Sequence, residues 1–466
     1  MSGARNAEPP GQLARRRVGP LGRGGPTAAS TGEEQLMRSA LQNHRTAVLS
    51  LAAGVAMLLA ACSSDTATPE QEATDEDATP AERTPEQEPE FELFEPPTKF
   101  DEDAEVTIEG VLPDPRYMGG GATVAHFYEL GEGDDVIYYS NSDGLRAHSA
   151  VRDTELWKVP TENAVTQTKN GNGVALGEID GEPVVAGSFV TMTPGEGTVA
   201  TQYHLEVIAV DAHTGDTRWH VVDDLAKRRL VTTAVAGVSD AGVVVGFDGT
   251  YGLDPADGST RWTDEDMTPY FMDGGLVLGR NRSADPEEDM TRVVAADTGE
   301  ERWRSNELSG TQPAGEGRLL VSHSYGSDGG PRGEVLDMAT GTVEHEFAAP
   351  EVSGNMQGTT FRCAADHQDI AICWVRKHGH LAAYDLDSGE SLWSMSPQAT
   401  PDRRVPTSTD SGFALWHGAL YSEFGVLDLR DGTDMELEPG IKPHATNGVI
   451  GVRMENRSLS AYPAIG

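Results

Sequence analysis

Beyond about residue 104, apolar and polar positions alternate in short runs, and polar turns rich in Asp, Gly and Thr separate the runs. The stretch Val207–Trp219, VIAVDAHTGDTRW, shows the figure: a half-buried strand, a polar turn, and a second strand ending on tryptophan. It returns as YGLDPADGSTRW (Tyr251–Trp262), VVAADTGEERW (Val293–Trp303), GEVLDMATGTVEH (Gly333–His345), LAAYDLDSGESLW (Leu381–Trp393) and GVLDLRDGTDME (Gly425–Glu436). The turn glycines are Gly215, Gly258, Gly299, Gly341, Gly389 and Gly432. Four residues after them stand Trp219, Trp262, Trp303 and Trp393, with His345 and Glu436 in two divergent copies. Four residues before them stand Asp211, Asp254, Asp337, Asp385 and Asp428, and Asp297 is expected to serve the remaining turn. GLRAHSAVRDTELW (Gly144–Trp157) reads as a degenerate first copy, with Asp153 in place of the glycine.

A strand-rich period of roughly 40–50 residues is the signature of a propeller with one blade per repeat. Glycine suits the left-handed position of a tight turn. The Asp carboxylate can accept backbone N–H groups there. Tryptophan, large and flat with one donor, suits a slot between neighbouring blades. Each copy follows another strand pair, as in GVVVGFDG (Gly242–Gly249), GLVLGRN (Gly275–Asn281) and RLLVSHS (Arg318–Ser324), so a unit has four strands. Complete units run from about Thr123 to Leu437, and GVIGVRMENRSLSAYP (Gly448–Pro463) looks like an eighth that lacks its outer strand. AEVTIEGVL (Ala104–Leu112) has no blade of its own and is expected to supply that strand. The predicted fold is all-β: an eight-bladed propeller of four-stranded antiparallel blades, closed by an N-terminal strand, over residues 104–466.

The N-terminal part has another character. Arg45 precedes an apolar run, Thr46–Ala61, that is short against the about 20 apolar residues of a membrane span. A basic flank, a short apolar core and small residues at its end describe a signal peptide, over residues 37–61. Its end, Leu59-Ala60-Ala61-Cys62, resembles a bacterial lipobox, which implies lipidation of Cys62 and cleavage before it. Residues 1–36 are rich in Gly, Pro, Arg and Ala without hydrophobic period, and are expected to be a mis-annotated start or a disordered extension. Residues 62–103 carry repeated Thr-Pro and Glu with few aliphatics, and read as a disordered, self-repelling tether.

The turn pattern resembles the pyrroloquinoline-quinone-like repeat family of propellers. Asp211, Thr214, Gly215 and Trp219 match its motif best, then Asp385, Gly389 and Trp393. That resemblance covers the body from about residue 105 onward and implies the fold more than the activity. The family includes quinoprotein alcohol dehydrogenases, which use the quinone and calcium, and non-catalytic scaffolds such as a lipoprotein of outer-membrane β-barrel assembly. The larger dehydrogenases resemble one another in an adjacent cysteine pair beside the cofactor; here Cys363 and Cys373 are ten apart, in FRCAADHQDIAICWV. A turn near Gln368 would set them opposite one another on antiparallel strands, within bonding range. A structural disulfide is expected rather than a redox-active pair, because neither sits in a Cys-x-x-Cys motif.

Other candidates carry less. His378 and His380 could share a strand face as a metal pair, but no third ligand accompanies them. Asp385–Glu390 lacks the ligand ladder of a calcium loop, and Gly171–Gly177 has no βαβ context for dinucleotide binding. No catalytic residue, metal or cofactor is assigned. The formal net charge of −40 disfavours nucleic acid as a partner. The expected protein is a lipid-anchored lipoprotein on the outer face of a bacterial cytoplasmic membrane, a non-catalytic binding or scaffolding module with an envelope protein as partner. The alternatives are a quinone-dependent dehydrogenase and a small-ligand sensor ectodomain. The contact surface is expected near MTPGEGTVATQYH (Met192–His204), the longest insertion.

Overall fold

The computed structural model describes residues 94–109, 128–131, 133–165, 173–225, 233–281, 290–306, 308, 310–315, 317–324, 330–349, 360–366, 368–375, 379–396, 413–422, 425–436, 440–455 and 458–466. These lie within the unit Glu86–Gly466. Cys62, the signal sequence and most of the tether fall outside the described residues.

The described strands form eight antiparallel sheets, one per predicted repeat. Blade 1 runs Tyr128–Leu130, Val136–Asn141, Gly144–Ser149 and Thr154–Pro160. Blades 2 to 7 begin with strands at Val174–Ile179, Ala234–Ser239, Met267–Asp273, Thr311–Pro313, Phe361–Ala365 and Phe413–Trp416. Second strands such as Ile370–Val375 are buried throughout, whereas fourth strands such as Glu301–Ser305 keep one face in solvent. A strand enclosed on both faces loses the polar alternation of a half-buried one.

Blade 8 is completed across the chain. Ala445–Thr446, Ile450–Glu455 and Ser458–Pro463 supply three strands, and Val106–Glu109 pairs antiparallel with the last, in the register Val106↔Ala461 to Glu109↔Ser458. The expected closing strand is thus present, and the edge of Ser458–Pro463 is covered.

An apolar cluster fills each of the eight seams. Val136, Ile208 and Ala212 join blades 1 and 2, and Trp219, Val235 and Val243 join 2 and 3. Val244 and Val277 join 3 and 4, Leu278 and Leu319 join 4 and 5, and Val335 and Phe361 join 5 and 6. Ile372 and Leu420 join 6 and 7, Tyr421 and Tyr462 join 7 and 8, and Ile450 and Ile137 close the ring.

The tryptophan column bolts these seams together. Trp157 Nε1 donates to Ala212 O (2.9 Å), Trp219 to Pro255 O (2.9 Å), Trp262 to Ala296 O (2.8 Å), Trp303 to Met338 O (2.8 Å) and Trp393 to Leu429 O (2.7 Å). Each acceptor lies three residues before the turn glycine of the next blade. The glycine itself lies beneath the same indole: a Cβ on Gly215 would come 2.6 Å from Trp157 Cγ, and one on Gly258 2.6 Å from Trp219 Cε3. Gly215 and Gly258 also hold φ near +74° and +73°. The position therefore needs glycine twice over, for backbone conformation and for room. Asp153, the substitute in blade 1, adopts φ +49°.

The acidic column closes the turns as expected in most copies. Asp211 Oδ1 accepts from His213 N (3.0 Å), Thr214 N (2.8 Å) and Thr214 Oγ1 (3.0 Å), and Asp385 does the same with Asp387 and Ser388. The N–H of Thr214 chiefly holds the Asp211 carboxyl below its ordinary range, and the Ser388 hydroxyl does so for Asp385. Asp254 accepts from Ala256 N (2.8 Å). The turn at Gly299 corrects the expectation for Asp297. Ala295 occupies the acidic column, and the turn is closed by Gly299 N to Ala295 O (2.8 Å) and Ala295 N to Glu300 O (2.9 Å), with Thr298 Oγ1 accepting from Glu300 N (3.4 Å). Asp297 is exposed.

Candidate functional site

One blade departs from this regularity. The second and third strands of blade 2, Glu182–Thr193 and Gln202–Asp211, have 12 and 10 residues. Their counterparts in the other blades have 4 to 6. Their pairing continues unbroken from Val184↔Asp211 to Thr193↔Gln202. The fourth strand, Thr217–Leu225, follows them outward, and Ala164–Val165 pairs with Met192 and Thr191 from the other side. The result is a ribbon whose tip, residues 193–202, is wholly exposed, with Val199 at 64% exposure. This is the Met192–His204 segment singled out in the sequence.

A buried carboxylate fastens the base of the ribbon. Glu206 is fully buried on the third strand. It accepts from Glu162 N (2.9 Å), Asn163 N (3.0 Å), Asn163 Nδ2 (2.8 Å) and Thr191 Oγ1 (2.6 Å), and faces His220 Nε2 at 3.2 Å. Burial pushes its pKa up, but the bonds from His220, Thr191, Asn163 and Glu162 outweigh that and bring it down to about 2. The carboxylate thereby ties the incoming segment at Glu162–Asn163 to the ribbon.

A second row sits above it. His204 Nδ1 faces Asp224 Oδ1 at 2.8 Å, and His204 Nε2 faces Thr193 Oγ1 at 2.9 Å. Hydroxyl, imidazole and carboxylate thus stand in one row, and the Thr193 hydroxyl has a second partner. Asn163 gives its amide N–H to Glu206, so its Oδ1 accepts from the Thr193 hydroxyl at 2.9 Å. Thr193 Oγ1 thereby bridges Asn163 Oδ1 and His204 Nε2. The row orients the ribbon.

The Glu206 carboxylate has a pH signature. Its pKa is depressed, so its stabilisation is complete above about 4.5 and is lost as pH falls toward 2. Glu206→Gln is expected to flatten the acid limb of stability against pH in that window by on the order of 3 kcal/mol. Urea unfolding of both proteins from pH 7 to pH 2 checks this; parallel acid limbs would disprove it.

The other sequence candidates lie apart from the tip of this ribbon. Asp211, Gly215, Trp219, Asp254, Gly258, Trp262, Gly299, Trp303, Asp385, Gly389 and Trp393 serve turns and seams. Cys363 and Cys373 stand opposite one another in register, with Cα atoms 4.0 Å apart, and are joined by a disulfide in blade 6. His380 is buried at the start of a strand, and His378 lies outside the described residues. Among the described residues no group of three or more His, Cys, Asp and Glu side chains is placed to hold a metal ion, and no helix is long and apolar enough to cross a membrane.

A family model described as outer membrane protein assembly factor BamB matches residues 118–269 and 287–432. Among solved structures, the chain is similar to BamB from Moraxella catarrhalis at 17% identity, over 72% of this chain and 96% of that one, with TM-score 0.40. It is also similar to the Cps50 (Swd1) β-propeller domain of Myceliophteria thermophila at 11% identity, over 75% and 97% of the two chains, with TM-score 0.36. No curated protein matches the chain.

Proposed function

The chain belongs to the BamB family of outer membrane protein assembly factors, and from that premise we propose that it is a non-catalytic binding module, held at the outer face of the membrane by a lipid on Cys62. The observation that carries the reading is the blade 2 ribbon: among the described residues it is an exposed protrusion built on strands longer than their counterparts in the other blades, and Glu206 fastens it at its base. Rigid rings that present loops are suited to hold a partner rather than to transform a small molecule. The partner class that fits the family's name and the proposed location is an envelope protein. The acidic tether would let the ring stand clear of the membrane surface.

A photo-crosslinking amino acid at Val199, with Asp257 on a repeat turn as control, tests this in intact cells. A discrete adduct with one envelope protein at Val199, absent at Asp257, is expected. The rival reading is tested on the same protein by calorimetric titration with pyrroloquinoline quinone, with and without calcium, alongside a dye-linked alcohol oxidation assay. Saturable binding with turnover would replace the proposal with a quinone-dependent dehydrogenase.

Anchoring has its own test. Cys62→Ser is expected to move the protein from the membrane fraction to the soluble fraction and to abolish labelling by a clickable fatty acid. Retention of both by the variant would refute the lipid anchor.

A further inference from the structure

The seam between blades 5 and 6 is built differently from its neighbours. Five seams carry the tryptophan bolt, and the seams on either side of blade 8 are filled by the chain's own N-terminal segment. There Phe100 packs against Tyr421, with centroids 5.9 Å apart, and Val106 and Ile108 pack beside Ile137. Between blades 5 and 6 the column holds His345, which lies beneath Gly389 where an indole stands elsewhere.

What this seam has instead is the disulfide. Cys363 and Cys373 face into it with Leu320, Val335 and Phe347. Cys363 is also its polar hub: its N–H donates to Ser322 Oγ (2.9 Å), and its carbonyl accepts from Gln312 Nε2 (2.6 Å), both in blade 5. Phe347 stacks on Tyr384 with centroids 4.3 Å apart, and the Tyr384 hydroxyl donates to Ala348 O (2.8 Å). The strand Phe361–Ala365 is the first of its sheet and pairs only with Ile370–Val375, and the disulfide crosslinks that pair in addition to the turn that joins the two strands.

We propose that this seam is a redox-sensitive joint: Cys363–Cys373 keeps the first strand of blade 6 seated on blade 5, and reduction lets these two blades part while the tryptophan-bolted seams stay closed. The reductant is a dithiol. One of its thiolates attacks a cysteine sulfur, the protein S–S bond breaks, and a mixed disulfide forms. The second thiol resolves that intermediate, leaving two protein thiols, which take up the two protons, and the reductant as a disulfide. Both sulfurs are buried, Cys363 at 5% and Cys373 at 0% exposure, so attack requires the seam to open first. The rate of reduction therefore reports that opening.

The test uses the full chain, dithiothreitol and native conditions. Peptide-mapped thiol alkylation gives the rate at which Cys363 and Cys373 are reduced, and hydrogen exchange gives the protection of each blade. Reduction at least tenfold faster than global unfolding in the same buffer is expected. In the reduced protein, exchange should rise at least tenfold at residues 319–321 and 361–375 and stay unchanged at residues 208–212, in the bolted seam of blades 1 and 2. His345→Trp, which places an indole over Gly389 with Leu386 O in the acceptor position, should restore protection to the reduced protein. If that variant does not fold, the comparison within the natural protein decides. Reduction no faster than global unfolding, protection lost evenly around the ring, or protection unchanged after complete reduction would each overturn the joint.

Discussion

Trp219→Ala is expected to lower the stability of the ring by about 3–5 kcal/mol, the cost of deleting a large buried aromatic side chain. Trp219 is 6% exposed, its ring covers Gly258, and its indole N–H reaches Pro255 O across the seam. The substitution leaves a cavity between blades 2 and 3 and a buried carbonyl without its donor. Trp219→Phe separates the two effects: it keeps most of the ring and loses the hydrogen bond, and should cost about 1–2 kcal/mol for the stranded acceptor and the smaller ring. Urea unfolding followed by far-ultraviolet circular dichroism measures both. A loss below about 1 kcal/mol for the alanine variant would mean that the indole is not what holds this seam.

The second large effect separates two reasons for a glycine. Gly215 and Gly181 both hold φ +74°. A Cβ on Gly181 would meet nothing within 4 Å, whereas one on Gly215 would lie 2.6–2.8 Å from three atoms of Trp157. Gly181→Ala should therefore cost only the left-handed backbone, about 1–2 kcal/mol. Gly215→Ala adds overpacking against the indole, about 1–3 kcal/mol more. In the same unfolding assay, equal costs would show that the ring moves aside freely and that the turn alone selects glycine.

This pair also shows how far the repeat could be read from the residues. The spacing of Asp, Gly and Trp revealed the turn and the blade count, because each type has a conformational or packing reason to recur. It did not reveal the partner of the tryptophan N–H, since a backbone carbonyl such as Pro255 O is common to every residue type. Nor did it explain the four-residue interval. A β-bulge in the fourth strand does so: Thr217 pairs with Val210 and Trp219 with Ala209, leaving Arg218 unpaired, and the extra residue turns the indole into the seam. Asp297 misled for a related reason. An acid near a turn looks like a cap, yet backbone bonds and the Thr298 hydroxyl close this turn.

The ribbon was legible as an insertion, but its fastening was not. Glu206 interrupts the apolar run LEVIAV, and an acid within such a run was the available signal. Its donors at 162–163, 191 and 220 are brought together only by the fold. The disulfide pairing followed from local spacing, because ten residues across a hairpin leave little choice of register. That it lies in the seam without a bolt could not be read, because neighbouring blades meet only in three dimensions.

The strand Val106–Glu109 finds its place against Ser458–Pro463, about 350 residues further on. A chain made from its N-terminus therefore carries Val106–Glu109 unpaired until Ser458–Pro463 has been added. Blades 1 to 7 can assemble in order of synthesis, each on the one before, but blade 8 can only come last. Until then both ends of the stack display raw sheet faces, with Ile137 on one side and Tyr421 on the other. Loss of the strand Ser458–Pro463 would leave blades 1 to 7 without their clasp, so that the presence of this strand is checked by the fold itself.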